Sequence, residues 1–226
     1  QSYKNYKIYF IDDCSTDNSL EVISKIKMAN SDLQLHVVSL KTNRGPGYTR
    51  NQGIELSNTR YITFLDSDDY WESNFLYEML NKLKKNPFNL VYSDYLVHHK
   101  NITTKIFKTP IKVCYEDMLK LNYISSSSFL MKQDKENKIY FSPELKYAED
   151  LSFFLKILQK KGCALKCKTT FSNVVKINNS QSSNKMKTIY NRIKVFRSYK
   201  LSYFSILYYI IFYFILTLKK YDDFNN

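Results

Sequence analysis

The chain has 226 residues, of which 44% are hydrophobic and 16% aromatic, so it can form one α/β domain with a substantial core and an appendage. With only 4 glycines and 4 prolines, a low-complexity chain or a turn-rich all-β fold is disfavoured. The net charge of +13 permits anionic partners, but the lysines are spread along the chain and no zinc-finger spacing is present.

Strands and helices are predicted to alternate through the first hundred residues. β-rich runs at 7–11, 35–40, 61–65 and 90–97 alternate with helical patterns at about 18–28, 48–56 and 73–85. Asn18 and Glu21 have the spacing of a capping box, and the apolar residues of 73–85 recur at helical spacing. This alternation predicts an α/β fold with βαβ units and a mostly parallel sheet flanked by helices.

The pattern loosens after residue 100. It predicts an edge strand at 102–107, a helix at 115–121, a polar loop at 124–128, a strand at 129–131, an apolar helix at 151–158 ending near Gly162, and one or two strands at 163–175. Residues 178–184 are polar and indicate a linker. We therefore expect a main domain at 1–177 and a hydrophobic or amphipathic helical tail at 178–226.

The tail combines basic and apolar segments. Residues 185–200 are basic, and 201–218 contain no charge before Lys219 and Lys220. As a helix, the uncharged stretch is about 27 Å long at about 1.5 Å per residue, near the thickness of a bilayer core, but its tyrosines favour the interface. We favour an interfacial helix over a spanning helix or one docked on a partner. Residues 186–220 would then contact the inner face of the cell membrane from the cytoplasm.

The cysteines and the start of the chain give further expectations. Cys163 and Cys167 have three residues between them, Cys14 and Cys114 stand alone, and no nearby histidine completes a zinc site. We therefore expect free thiols in a reducing compartment. No signal peptide is visible. Residues 1–7 read as a loop entering a strand without an initiating Met, so we expect a missing amino-terminal segment.

An apolar run at 61–65 stops abruptly at three carboxylates, Asp66, Asp68 and Asp69. Ligands bind beyond the carboxyl ends of strands in open α/β sheets, and crowded carboxylates repel one another unless a cation or hydrogen-bond donors neutralise them. Such oxygen ligands suit Mg²⁺ or Mn²⁺ that is bridged to substrate phosphates. The alternative is a polar loop in which Asp69 caps a helix beginning near Trp71.

Two further clusters lie in the first fifty residues. Asp12 and Asp13 end the first predicted strand, where they either bind a nucleotide base or ribose or form an Asx turn before a helix. The loop 43–47, followed by Arg50 and Asn51, places amides and guanidinium groups near a helix start, which suits a diphosphate. The alternative is an ordinary βα loop. The loop 43–47 is not a P-loop, because no Gly-Lys-Ser/Thr follows it.

Glu149 and Asp150 open the apolar helix at 151–158. Carboxylates are favourable at a helix N-terminus in any protein. The functional alternative is a general base close to a nucleotide site. The histidines at 36, 98 and 99 are predicted to be strand or loop residues rather than catalytic groups.

Together these clusters resemble the family 2 glycosyltransferases in order and spacing. The matching segments are 11–17, 43–53, 65–69 and 149–150. The resemblance is strong to about residue 94, weaker from there to Asp150, and slight beyond 175. It implies a GT-A fold, a nucleotide-sugar donor, a divalent metal (Mn²⁺ or Mg²⁺) and inversion at the anomeric carbon.

The resemblance also implies roles for individual residues. Asp150 matches the catalytic base with Glu149 beside it, Asp68 matches the metal ligand, and Asp66 matches the acid near ribose and metal. The remaining matches bind the nucleotide-sugar: Asp12 and Asp13 at the base, and Arg44, Gly45 and Arg50 in the loop that holds the nucleotide. Cys14 departs from the family, in which Gly is common at that position. Asn178 and Asn179 are the nearest candidates for a polar metal-facing residue, and neither is assigned.

We therefore expect a hexosyl- or N-acetylhexosaminyltransferase that moves a sugar from a UDP-sugar to a hydroxyl of a glycan or lipid-linked acceptor in surface polysaccharide synthesis. A second hypothesis is a nucleotide-binding but inactive fragment of such an enzyme. A nucleic-acid-binding module is disfavoured, because acids cluster at the supposed ligand edge and would repel phosphates.

Overall fold

The structure, a computed structural model, describes residues 1–99, 102–145, 147–176 and 185–222. Its first elements are strand β1 (Ile8–Asp12), helix α1 (Ser19–Ala29) and strand β2 (Leu35–Ser39). β1 and β2 form a parallel pair, as a βαβ unit requires. The predicted capping box is absent, because the side chain of Asn18 makes no cap bond and Asp17 instead accepts the Ser19 N–H at 3.0 Å.

The later elements follow the predicted order, with adjusted ends and two unpredicted strands, at 70–71 and 112–113. They are α2 (Pro46–Leu56), β3 (Tyr61–Ile62), β4 (Tyr70–Trp71), α3 (Phe75–Lys84), β5 (Leu90–His99), β6 (Ile102–Phe107), β7 (Lys112–Val113), α4 (Tyr115–Lys120), β8 (Phe129–Lys132), α5 (Glu149–Lys161), β9 (Ala164–Lys176), α6 (Lys185–Ser198) and α7 (Tyr203–Asp222). The linker predicted at 178–184 lies outside the described residues, as do Asn178 and Asn179.

The larger sheet is mixed rather than mostly parallel. Its order is β3-β8-β5-β9-β4, with β6 added to β5 and β7 added to β9. Among these ladders only β5 with β9 is parallel. The α/β class is confirmed, but the prediction of a mostly parallel sheet is wrong here. β6 follows β5 after two residues, and so short a connection allows only antiparallel pairing.

β3 is shorter than the predicted strand at 61–65, and its continuation leads to the acidic cluster. Only Tyr61 and Ile62 pair with β8. Beyond them the Thr63 hydroxyl donates to the Phe129 carbonyl, and the Asp66 N–H donates to Ser127 Oγ at 3.1 Å. Side chains therefore replace the ladder and hold the end of the apolar run against the segment preceding β8.

Helix α5 is the centre of the core. Its buried face contains Leu151, Phe153 and Phe154, and the Phe153 ring stacks on Phe141 with centroids 3.9 Å apart. Full burial of a side chain of this size contributes about 1.5–3 kcal/mol. The helix is therefore held rigidly, and Glu149 and Asp150 in its first turn are fixed with it. The helical spacing of apolar residues predicted for 73–85 is also confirmed, because α3 buries Phe75, Leu76, Met79, Leu80 and Leu83.

The two tail helices pack on this core. Val195, Phe196 and Ile206 are buried in the same cluster as the α5 residues, and the Tyr199 hydroxyl donates to the Ser152 carbonyl at 2.8 Å. Within the described part of the chain, no helix has both the length and the hydropathy that crossing a membrane requires.

Cys114 and Cys163 form a disulfide, so the prediction of free thiols is wrong for this pair and holds for Cys14 and Cys167. The reason is a pairing that the cysteine spacing does not reveal. β7 pairs antiparallel with β9, and Val113 lies opposite Ala164. The next residue outward on each side is a cysteine, and their Cα atoms are 4.2 Å apart.

We expect reduction of this disulfide to lower the free energy of unfolding by about 2–4 kcal/mol, because the crosslink closes a long loop in the unfolded chain. Thermal unfolding with and without dithiothreitol measures the effect. The Cys114→Ser/Cys163→Ser double variant is the control, since its melting temperature should not respond to the reductant. An equal response of wild type and double variant would contradict the assignment.

Candidate active site

Arg50 on α2 joins two of the predicted acidic clusters. Its Nη2 lies 2.6 Å from Asp66 Oδ1, and its Nη1 lies 3.2 Å from Glu149 Oε1. The side chains of Arg50 and Glu149 are each 13% exposed. Burial alone would lower the pKa of Arg50, but the charge of Asp66 and then that of Glu149 hold it above its ordinary value. A permanent cation thus sits between carboxylates that would otherwise repel one another.

Asp66 is held by a serine loop that the sequence predicts only as polar. Its Oδ2 accepts a hydrogen bond from Ser126 Oγ at 2.6 Å, while Oδ1 faces Arg50. Both carboxylate oxygens are therefore engaged, and Ser127 fixes the backbone of the same residue. The run of serines at 125–128 directly before a strand was the available signal for this role.

Asp69 does not cap a helix near Trp71, so that alternative is wrong. Residues 70–71 form β4 instead, and α3 begins only at Phe75. Asp69 Oδ1 accepts the Val175 N–H at 3.0 Å, and burial raises its pKa to about 6. Trp71 Nε1 donates to the Ser127 carbonyl at 2.6 Å. The acidic loop is thus pinned to β9 on one side and to the serine loop on the other, with Asp68 exposed.

Glu149 and Asp150 begin α5 after a residue in an unusual conformation. Ala148 has φ 57° and ψ 26°, the left-handed region that side chains with a Cβ rarely adopt. Asp150 Oδ1 accepts the Leu151 N–H, and Oδ2 accepts Asn122 Nδ2, both at 2.7 Å. Burial raises the pKa of Asp150, and burial followed by the charge of Asp150 raises that of Glu149 to about 7. Two buried carboxyls therefore lie close to one arginine.

Asp12 and Asp13 organise the turn that follows β1. Asp13 accepts the backbone N–H groups of Arg44 and Gly45, each at 2.7 Å. Gly45 has φ 84°, which only glycine adopts readily. Asp12 is 3% exposed and accepts the Ser15 N–H at 3.2 Å, and hydrogen bonds from the Ser15 side chain and backbone lower its pKa. This N–H is three residues on, whereas an Asx turn bonds the N–H two residues on. Cys14 has φ 65°, the conformation for which glycine is favoured.

Helix α2 connects this turn to the acid cluster. A methyl group added at Gly47 would lie 3.5 Å from Cγ of Glu149, so the first turn of α2 passes close to that side chain. Asn51 bonds both the N–H and the carbonyl of Phe141, at 2.8 and 3.0 Å. Arg44 is exposed and stacks on Tyr48. The structure thus brings Arg50, Asp66, Glu149 and Asp150 together, with Asp13 and Gly45 at the start of the same helix.

The described residues contain no group of three or more His, Cys, Asp or Glu side chains that could hold a metal by itself. The exposed Asp68 lies beside the engaged Asp66. Mg²⁺ and Mn²⁺ commonly bind through one or two carboxylates together with substrate phosphates and water. The residues therefore fit an ion that is shared with a diphosphate through Asp68. Asp66 would join only by exchanging its contact with Arg50 or Ser126.

Comparison with known proteins decides the family. The sequence model of "Glycosyl transferase family 2" matches residues 1–145. The chain belongs to glycosyl transferase family 2. This glycosyltransferase is 32% identical over 216 residues to an uncharacterized glycosyltransferase of Haemophilus influenzae, covering 94% of this chain and 85% of the relative. It is 29% identical over 201 residues to the Escherichia coli "UDP-Glc:alpha-D-GlcNAc-diphosphoundecaprenol beta-1,3-glucosyltransferase WfaP", covering 88% and 76%.

Solved structures confirm the GT-A fold of this family 2 glycosyltransferase. The crystal structure of S. aureus TarS in complex with UDP has a TM-score of 0.60 and 26% identity, covering 74% of this chain. The chain spans about half, 51%, of that TarS chain. The mannosyltransferase PcManGT from Pyrobaculum calidifontis, in complex with GDP-Man and Mn²⁺, has a TM-score of 0.64 at 13% identity, covering 87% and 55%. The latter likeness concerns the fold alone.

We expect Arg50→Ala to lower the free energy of unfolding by about 3–5 kcal/mol at neutral pH, because it leaves buried carboxylates without their cation. The loss should shrink as the pH falls. In the variant, the pKa values of the buried carboxyls are raised in the folded state. They therefore destabilise the fold only at pH values above the ordinary pKa of these groups in the unfolded chain. Denaturant unfolding at several pH values measures both effects.

The exposed neighbour Arg44 provides the control for this experiment. Arg44→Ala removes the same charge from the same loop region but leaves the buried acids paired, so stability should change little. If both variants lost the same stability, the buried ion pairs of Arg50 would not be the cause.

Proposed function

We propose that this glycosyltransferase moves a sugar from a UDP-sugar to a hydroxyl of a glycan or lipid-linked acceptor, with inversion at the anomeric carbon. The observation that carries the proposal is the buried cluster in which Arg50 joins Asp66 and Glu149 beside Asp150. The names of the relatives support the pathway class, since WfaP is named as a UDP-Glc-dependent enzyme acting on a diphosphoundecaprenol-linked sugar. We infer a role in surface polysaccharide synthesis.

In this mechanism Asp150 is the general base. An acceptor hydroxyl is a weak nucleophile, so Asp150 takes its proton as the oxygen attacks the anomeric carbon opposite the leaving group. The bond from that carbon to the diphosphate oxygen breaks, and the nucleoside diphosphate leaves with the electron pair. Burial raises the pKa of Asp150, which makes its ionised form a stronger base than an exposed aspartate.

The donor would occupy the edge formed by the turn after β1, the start of α2 and the acidic loop. Asp12, Asp13, Arg44 and Gly45 line the nucleotide end in this proposal. The hydrogen bonds that Asp13 accepts from the Arg44 and Gly45 N–H groups would hold the loop in a fixed shape before the donor arrives. Asp68, together with Asp66, would hold Mn²⁺ or Mg²⁺. When bound, such an ion stabilises the negative charge that develops on the leaving diphosphate.

We expect Asp150→Asn and Asp68→Ala each to abolish sugar transfer, for different reasons. Asp150→Asn removes the base but should keep the rise in melting temperature that UDP with Mn²⁺ causes. Asp68→Ala should lose that metal-dependent rise, because a ligand that binds only the folded state stabilises it in proportion to its affinity. Transfer or hydrolysis across a panel of UDP-sugars and thermal shift measure the two effects. The exposed Asp32→Asn is the control and should match wild type.

The rival hypotheses give different results in the same experiment. Wild-type protein that binds UDP with Mn²⁺ but turns over no donor in a broad panel would contradict the transferase and support an inactive nucleotide-binding fragment. Tight, salt-sensitive binding of nucleic acid without any UDP binding would support a nucleic-acid-binding module.

We also infer that α7 lies on an anionic lipid surface at the inner face of the cell membrane. Its outward side carries large apolar residues at intervals of three or four positions, including Phe204, Leu207, Ile211 and Ile215, exposed by 88%, 59%, 48% and 43%. Basic residues are exposed just before it, at Arg197 and Lys200. An apolar stripe beside basic residues suits the interface of an anionic bilayer.

We expect co-sedimentation of the protein with vesicles containing phosphatidylglycerol, weaker binding to neutral vesicles, and strong loss of binding in the Leu207→Glu/Ile211→Glu variant, because charges would enter the apolar face. The exposed Met28→Glu on α1 is the matched control and should bind like wild type. Equal binding by the tail variant would contradict the proposed face. An oligomer that dissociates in the same variant would instead favour a second copy as the occupant.

A further inference from the structure

The proposed base is held by a residue that the family motifs do not include. Asn122 donates from Nδ2 to Asp150 Oδ2 at 2.7 Å, while the other oxygen of Asp150 accepts the Leu151 N–H. Both carboxylate oxygens therefore have fixed partners, and the side chain is confined to one orientation. Asn122 follows α4 directly after Leu121, so its position depends on where that helix ends.

The C-terminal end of α4 is in turn held by an arginine from the tail. Arg192 on α6 donates from Nη2 to the carbonyls of Leu119 at 2.8 Å and Met118 at 3.4 Å. Carbonyls in the last turn of a helix lack partners within the helix, and a cation there is favourable. The guanidinium also stacks on Tyr213 of α7, 4.6 Å from the ring centroid. Both tail helices thus contribute to this contact.

Burying this arginine is costly, and packing alone does not explain it. Arg192 is 3% exposed, and burial lowers its pKa to about 10, which still leaves it charged at neutral pH. Its Nε and the Oδ1 of Asn122 are buried polar atoms without a hydrogen-bond partner among the residues that the structure describes. An apolar residue of similar volume would avoid these costs. Such costs are tolerated where a position serves function.

We propose that Asn122 and Arg192 are positioning residues for Asp150. Arg192 fixes the end of α4, and Asn122, on the segment leaving that helix, holds the carboxylate in the orientation that receives a proton from the acceptor hydroxyl. The tail is then part of the catalytic apparatus as well as a surface for partners. The inference rests on the proposed function, in which Asp150 is the base.

Asn122→Ala tests the direct contact. We expect kcat to fall by about tenfold to a hundredfold, as small misplacements of a reacting group do, with the donor KM within about twofold of wild type. The stabilisation by UDP with Mn²⁺ should be unchanged, which shows that the fold and the donor site are intact. A purely structural role for Asn122 would not separate kcat from KM in this way.

The pH profile gives a second readout. The hydrogen bond from Asn122 favours the ionised form of Asp150 and lowers its pKa, so its removal should move the acid limb of kcat to higher pH. The other charged or titratable groups that interact electrostatically with Asp150 are unchanged in this variant. They are Arg50, Asp66, Glu149, Tyr95 and Arg192.

Arg192→Met and Arg192→Lys test the remote contact. The methionine fills similar space without donating to the α4 carbonyls, and we expect the same loss of kcat as for Asn122→Ala. Lysine can still donate to a carbonyl and should restore part of it. Lys27→Met, at an exposed position of α1 outside the tail, is the control. If the Arg192 variants do not fold, Asn122→Ala still decides the matter.

The outcomes separate the two levels of inference. An active wild type with Asn122→Ala unchanged in kcat and pH profile overturns the positioning role and leaves the transferase assignment standing. A wild type that binds UDP but transfers no sugar overturns both.

Discussion

The ion pairs of Arg50 determine the arrangement of the site. Asp66 is 16 residues away along the chain and Glu149 is 99, yet both carboxylates contact the same guanidinium. Each acid comes from a different segment, the loop after β3 and the first turn of α5. Without the cation between them, burial and mutual repulsion would favour neutral acids or a more open loop. The sheet edge can therefore concentrate negative charge only where α2 presents this arginine.

The sequence predicted the parts of the site that are encoded locally. A short apolar run followed by acids, a glycine before a helix, and two carboxylates at a helix start are each visible within a few residues. The face of α3 was equally predictable, because helical spacing alone decides which side chains are buried. These features can be read from the sequence without knowing which strands pair.

Contacts that depend on long-range pairing were not predictable in this way. The acids contact Ser126 and Ser127 because β8 pairs with both β3 and β5. Asp150 contacts Asn122 because α4 packs beside α5. The disulfide similarly follows from the register of β7 on β9. Hydrophobic periodicity indicates which face of an element is buried but not which element packs against it. The partner of a serine in a polar loop, or of a single cysteine, therefore cannot be read from the sequence.

The tail carries two kinds of residue that serve different environments. The inward side of α6 and α7 contributes Phe196 and Tyr213, whose rings lie against the Arg192 guanidinium at the end of α4. The outward side of α7 is apolar and exposed. A helix pair needed only to bind a surface would gain stability from an apolar residue at 192, since a buried cation costs several kcal/mol of desolvation. That cost is consistent with the proposed role, in which the same helices fix the segment that holds Asp150, so that the exposed face of α7 and the proposed base belong to one packed unit.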